Sequence, residues 1–196
     1  MTNRTADVAR KTNETDIRLS LNLDGCGQAE VSTGIGFFDH MLNLWAKHGL
    51  FDLAVEARGD LQVDGHHTVE DTGIVLGQAL ARALGDKSGI RRYGTAFVPM
   101  DEALAMVVVD ISGRPFLQCD LNLTAAKIGD YDGELTEEFL RALAVNAGLT
   151  VHVRLLSGKN AHHITEAVYK ALGRALAEAS RKDERITGVL STKGVL

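Results

Sequence analysis

Cysteine and proline are scarce in this chain, with two of each among 196 residues. Cys26 and Cys119 lie far apart and neither has a CxxC partner, which excludes a disulfide framework or a thiolate metal site as the organising feature. Two buried thiols are expected instead. No stretch approaches the run of about 18 apolar residues that a membrane helix needs, and the opening MTNRTADVARKT lacks the apolar core of a signal peptide. A cytoplasmic protein is expected. Basic tracts are missing and the net charge is -5, which argues against a broad nucleic-acid surface, so any bound anion must be met by a few placed cations. What the chain does have is apolar residue: at 45% hydrophobic content it can fill the core of one or two small domains.

It also contains a repeat. GHHTVEDTGIVLGQALA begins at Gly65 and AHHITEAVYKALGRALA at Ala161. Aligning His66 with His162 matches eight of sixteen positions, where chance gives roughly one. Two copies exclude a solenoid. The flanks repeat in outline. Ile17, Leu19, Leu21 and Leu23 alternate with polar residues, as do Phe51, Leu53, Val55 and Ala57, which predicts two half-buried strands. FFDHMLNLWAKHG between them predicts a helix, with Phe38, Met41, Leu42 and Trp45 on its apolar face and Gly49 as its stop. The first His-His segment predicts a longer helix with Val69, Gly73, Leu76, Leu80 and Leu84 on one stripe. In the second half, EALAMVVVDISGRPFLQCDLNL predicts two strands, LTEEFLRALAVNAG a helix, LTVHVRLL a strand, and the second His-His helix ends near Ser180.

The expected fold is therefore α+β: two pseudo-symmetric repeats, each a small mixed sheet with two helices on one face. The halves are residues 1–87 and 88–196, joined near GDKSG.

On a helix, residues four apart share a face while neighbours diverge by about 100°. His66 can meet Glu70 on one ion, and His162 can meet Glu166 on another, but His67 and His163 point elsewhere. If the motifs face each other across a pseudo-twofold, one ion takes His66, Glu70 and His163 and a second takes His162, Glu166 and His67. Spacing does not decide whether they meet within a chain or across a subunit contact. The competing reading of each pair is a solvated helix start. The nitrogen and oxygen donor set suits manganese, zinc, iron or nickel. His40 and Glu138 occupy corresponding places in the two halves, and either can add a further ligand; more than four ligands favour manganese. His48 and His152 are as well explained as structural histidines.

A symmetric cage does nothing directional, so the residues that break the repeat are where a substrate is sensed. Lys170 stands where the first half has Ile74. Arg91 and Arg92, Arg114 in DISGRP, and Ser191, Thr192 and Lys193 in the terminal STKGVL are together capable of forming a phosphate site. Glu14 is a lone carboxylate beside a strand, and solvation accounts for it unless something else stands near it.

GFFDHML, GDLQVDGHHTVEDTGIVLGQAL, DISGRP, GKNAHHITEAVYKALGRAL and STKGVL, in this order from about Arg10 to Leu196, resemble the imidazoleglycerol-phosphate dehydratase family of histidine biosynthesis. The resemblance implies a ribosomal protein S5 domain 2-like fold and a lyase that converts imidazole glycerol phosphate to imidazole acetol phosphate and water. It implies two Mn2+ per active site: one held by His40, His67, His162 and Glu166, the other by His66, Glu70, His163 and Glu138. It implies a homo-oligomer of 24 subunits built from trimers, with active sites between subunits. Two positions depart from the pattern: Glu138 where some relatives have His, and Leu44 where relatives often have Gln. The hydrogen to be removed has no carbonyl beside it, so the expected chemistry runs through a dimetal-bound imidazolate that expels the adjacent hydroxyl to a diazafulvene-like species. Glu14 is the expected carbon base, with His48 assisting proton traffic, Glu166 and Lys170 beside the chemistry, and Arg92, Arg114, Lys170, Ser191, Thr192 and Lys193 gripping phosphate. Two rivals compete: a dinuclear metal hydrolase, which releases cleaved product, and a metal-buffering oligomer, which needs no cation arrangement.

Overall fold

A computed structural model describes residues 4–123 and 125–196. In chain order the first half contains β1 (Thr5–Lys11), β2 (Thr15–Asn22), β3 (Ala29–Ser32), α1 (Gly36–Gly49), β4 (Asp52–Gly59) and α2 (His66–Leu84). The second half contains β5 (Tyr93–Met100), β6 (Ala103–Asp110), β7 (Phe116–Asp120), the short β8 (Lys127–Ile128) and β9 (Tyr131–Asp132), α3 (Leu135–Ala147), β10 (Thr150–Ser157) and α4 (Ala161–Ser180). The two sheets share one topology, β1-β2-β4-β3 and β5-β6-β10-β7. In each, the last pair is parallel and the others antiparallel. The α+β fold read from the repeat is the fold observed.

Period-two patterning orients both sheets. Ile17, Leu19 and Leu21 of β2, Leu53, Val55 and Ala57 of β4, and Val107, Val109, Val151 and Val153 of the second sheet all point inward and are buried. Each large aliphatic side chain so buried contributes about 1.5–3 kcal/mol. The helices lie between the sheets: α2 packs on β1 and β2 and against α3, while α4 packs on β5 and β6 and against α1. The halves are thus joined helix to helix, around Phe38, Trp45, Phe139 and Tyr169, all fully buried.

The repeat outside the histidines serves this packing. A β-carbon on Gly173 would run into the backbone of Trp45, and one on Gly77, its repeat partner, would stand 2.9 Å from the Leu143 carbonyl. Both glycines let helices of opposite halves approach closely. Gly49 belongs to the same crossing, 3.0 Å being the distance from its added β-carbon to the Gly173 carbonyl. It is not the stop expected of it: Leu50, with φ 57°, takes the left-handed position and donates its N–H back to the last turn. Strands β1, β3, β5, β8 and β9 were not legible from alternation, and Cys26 is exposed rather than buried. Among the described residues, no helix is long and apolar enough to cross a membrane.

Candidate functional site

Two clusters form, each at the N-termini of two helices drawn from opposite halves. The first joins α1 and α4. His40 Nε2 and His162 Nε2 stand 3.0 and 3.1 Å from the same oxygen, Oε1 of Glu166, and the three donor atoms lie within 4.8 Å of one another. Lys170 donates to the other oxygen at 2.5 Å and also reaches Met100 Sδ at 3.4 Å. Glu166 is 6% exposed, whereas the two histidines are open to solvent on their other sides. Burial pushes the Glu166 carboxyl up, but Lys170, His40 and His162 outweigh it and hold it at about 2. Two imidazole nitrogens and one ionised carboxylate oxygen aimed at one volume form a set that a divalent cation fits, because the cation replaces the ring protons that otherwise face the oxygen. Asn160 fixes this turn by accepting the backbone N–H groups of His162 and His163 at 2.9 and 3.4 Å.

The second cluster joins α2 and α3. His66 Nε2 lies 3.9 Å from Glu70 Oε2, and His66 and Glu138 line one cavity of about 680 Å³ together with Cys119, Asn122 and Glu134. Burial pushes the Cys119 thiol up to about 12, which keeps the unliganded group protonated. Asp64 accepts the His66 N–H at 2.8 Å and orders the start of α2. His40 and Glu138 occupy equivalent places in α1 and α3, with Met41, Leu42 and Trp45 matching Phe139, Leu140 and Leu143 in the core.

The remaining motif histidines turn away from both clusters. His67 Nδ1 lies 3.0 Å from Asp60 Oδ2 and 3.8 Å from Glu14 Oε2; its bond to Asp60 and the Glu14 charge raise its pKa. His163 Nδ1 lies 2.7 Å from Glu102 Oε2, a contact that raises the histidine and, with the Asn160 and Lys159 N–H groups, lowers Glu102 to about 2. The expected sets that place His67 with His162 and Glu166, and His163 with His66 and Glu70, are therefore not assembled within one chain. Among the described residues only His40, His162 and Glu166 converge closely. Asp60 and Glu102 escaped sequence reasoning, although Glu102 precedes β6 as Glu14 precedes β2.

The candidate phosphate residues gather elsewhere. Arg92 forks onto Asp110 at 2.7 and 3.1 Å and donates to the Leu190 carbonyl at 2.8 Å. Arg114 approaches the same carboxylate at 3.5 Å, and the Lys193 N–H donates to Ser191 Oγ at 3.2 Å. Arg92, Arg114 and the tail that Arg92 holds at Leu190 thus share one end of the second sheet, where β6 finishes at Asp110. Arg92 precedes β5 and Met100, beside Lys170, ends it, so strand rise puts about 25 Å between the cations at that end and the first cluster. Lys170 stays with Glu166. His48, at the end of α1, feels burial first, then Lys170 and Arg174, and all three lower its pKa. Leu44 is half-buried against the core. His152 lies on β10 beside the Phe116 ring, 5.9 Å between centroids, away from either cluster.

Comparison with known proteins gives the same outline. The family model described as imidazoleglycerol-phosphate dehydratase matches residues 33–176. A protein of that name from Clostridium botulinum (strain Okra / Type B1) is 66% identical over 191 residues, 97% of each chain. Another, from Acetivibrio thermocellus, is 64% identical over 193 residues, 98% of this chain and 99% of its own. The crystal structure of imidazoleglycerol-phosphate dehydratase from Staphylococcus aureus subsp. aureus N315 superposes with a TM-score of 0.83 at 44% identity, covering 91% of this chain and 99% of that one. The structure of the Pyrococcus furiosus enzyme gives 0.83 at 40% identity, covering 96% and 100%. The chain belongs to the imidazoleglycerol-phosphate dehydratase family.

Proposed function

We propose that the chain dehydrates imidazole glycerol phosphate to imidazole acetol phosphate at sites completed between subunits, each holding two divalent cations, with Mn2+ the expected metal. One observation carries this: each cluster is one histidine short of its expected set, and the chain carries two motif histidines turned away. Pairing the second motif of one copy with the first motif of another supplies both. The first ion takes His40, His162 and Glu166 from one copy and His67 from its neighbour; the second takes His66, Glu70 and Glu138 from the neighbour and His163 from the first. A closed homo-oligomer follows, and the 24-subunit shell of trimers is the arrangement proposed.

Separate ions suit a two-ended ring better than a bridging hydroxide. In a dinuclear hydrolase the ions lie about 3.5–4 Å apart over a shared oxygen ligand. Here the second oxygen of Glu166 is committed to Lys170, so this carboxylate does not offer the bridge. His40, His162 and Glu166 would hold one cation and His66, Glu70 and Glu138 the other, and the cations would supply the charge that stabilises an imidazole ring as its anion, the electron reservoir that the missing carbonyl would otherwise be. The chain's own groups do the rest. Glu14, exposed and beside His67, takes the proton from the second carbinol carbon, whose own hydroxyl stays, next to the ring-side carbon that loses its hydroxyl. His48, neutral because burial and the nearby cations lower its pKa, takes a proton from solvent at one ring nitrogen as it releases one from the other to the departing hydroxyl, which leaves as water, and the resulting enol gives the ketone. The three-carbon chain of the substrate is far too short to bridge from the first cluster to Arg92 and Arg114 of the same copy, so this end of a neighbouring copy's second sheet grips the phosphate with Arg92, Arg114, Ser191, Thr192 and Lys193, and Lys170 serves from beside Glu166.

Purified protein incubated with Mn2+ and imidazole glycerol phosphate should form the ketone, followed by ultraviolet absorbance, and a chelator should abolish it. Metal analysis should find two ions per chain. Release of inorganic phosphate, or one ion per chain with the clusters otherwise intact, would refute the reading.

A further inference from the structure

Four carboxylates surround the two outward histidines, and the halves use them differently. In the second half Glu102 makes three contacts. Its Oε1 accepts the N–H groups of Lys159 and Asn160 at 3.1 and 2.8 Å, and its Oε2 lies 2.7 Å from His163 Nδ1. An ionised carboxylate only accepts, so the imidazole donates from Nδ1, and in the neutral ring Nε2 carries the lone pair. Asp101 stands 3.7 Å from Nε2, beyond hydrogen-bond reach, and is open to solvent. In the first half the residue in Glu102's place is Glu14, each standing immediately before the second strand of its sheet. Glu14 stops 3.8 Å short of His67 Nδ1, and Asp60 takes that bond at 3.0 Å.

The reason for the difference lies after the fourth strand. Asp60 follows β4 as Gly158 follows β10. Gly158 has φ +142°, and a β-carbon there would stand 2.9 Å from Ile164 and 3.0 Å from the Ala103 side chain. No carboxylate can occupy that place, so in the second half the bond falls to Glu102.

We propose that Glu102 and Asp60 are positioning residues that hold His163 and His67 as Nδ1–H tautomers with Nε2 turned to a cation, and that Asp60, by doing this in the first half, leaves Glu14 free to act as the base. The proposal rests on the reading of both histidines as ligands through Nε2. It explains how a duplicated glutamate came to have two duties.

The isosteric Glu102→Gln variant tests it. Its amide oxygen keeps the two backbone bonds, and its NH2 then faces His163 Nδ1, which can no longer donate. Solid-state 15N spectra of histidine-labelled, metal-free protein should show one ring moving its proton from Nδ1 to Nε2. Mn2+ titration followed by electron paramagnetic resonance should show about 10–100-fold weaker binding at one of the two ions per chain. Asp60→Asn should do the same for His67, and it keeps the proposal testable if the first variant does not fold. Glu14→Gln should leave both tautomers and Mn2+ affinity within about twofold of the parent while turnover is lost. A proton remaining on Nδ1 in Glu102→Gln, parental Mn2+ binding at both ions in that variant, or a moved His67 proton in Glu14→Gln would overturn the proposal. Failure of the functional reading is seen separately, as absence of Mn2+ binding or of ketone formation in the parent protein.

Discussion

If every active site draws its second motif from one copy and its first motif from another, two different inactive variants should restore activity when they assemble together. The perturbation is a pair: His67→Ala, a lesion in the first motif, and His162→Ala, a lesion in the second. On the proposed assignment, each removes one nitrogen from the ion that His40, His162 and Glu166 would hold. Loss of a direct ligand costs more than the about 10–100-fold that losing an outer partner of a ligand costs. Each variant alone should therefore be nearly silent at micromolar Mn2+. A site in a mixed shell is intact when its second motif comes from a His67→Ala chain and its first motif from a His162→Ala chain. Random assortment of equal amounts makes about one quarter of sites intact by this rule. The assay is ketone formation by the co-expressed, doubly tagged shell, compared with each variant and with the two mixed after separate assembly. Recovery to about one quarter of parental kcat at unchanged KM is expected. A co-assembled preparation no more active than the average of its two parents would refute the division of the site between copies.

Three other consequences follow from the structure. The folded-state carboxyl of Glu166 lies at about 2 against an ordinary 4.5, so in the metal-free protein its stabilisation is complete above about pH 4.5 and is lost as pH falls toward 2; Glu166→Gln should flatten the unfolding free energy in that window, as read by denaturant melts. Gly173→Ala drives a methyl into the backbone of Trp45 and should cost about 1–3 kcal/mol, whereas Gly36→Ala, with nothing within 4 Å, should change the melting midpoint little. Arg92→Lys loses the fork onto Asp110 and the hold on the Leu190 carbonyl together; KM should rise with metal affinity unchanged, and the terminal segment should become more sensitive to carboxypeptidase.

The doubled His-His-Glu motif made both the internal symmetry and the candidate ligands legible, because identical spacing on a helix fixes which side chains share a face. Strand β5 was not legible for a physical reason. In YGTAFVPM the large residues Tyr93 and Phe97 face out, while Gly94, Ala96 and Val98 face in. A β-carbon on Gly94 would collide with the Ala175 carbonyl of α4, so close helix packing inverts the usual size pattern. Strand β1 hides similarly, with only Ala6 and Val8 buried among polar neighbours. Which motif residues share a helix face is legible from helix geometry, as His162 and Glu166 show, yet where Asp60 and Glu102 stand is not, because both sit in turns whose reach depends on strand register. The sequence also placed Arg92 and Lys170 in one phosphate grip without seeing that β5 separates them.

The duplication is most informative where it is imperfect. Glu166 answers to Glu70, but Lys170 beside Glu166 answers to Ile74, and His40 answers to Glu138. The first cluster therefore sets one carboxylate against one ammonium, while the second holds two carboxylates without that lysine. On the proposed reading, two like cations meet ligand sets differing by two charges, and the cation beside Lys170 keeps more of its positive field. A ring held between them would be polarised toward that edge rather than shared evenly. A single fold repeated twice thereby acquires a direction, which is what a reaction that breaks a carbon–oxygen bond on one side of the ring requires and a symmetric metal store does not.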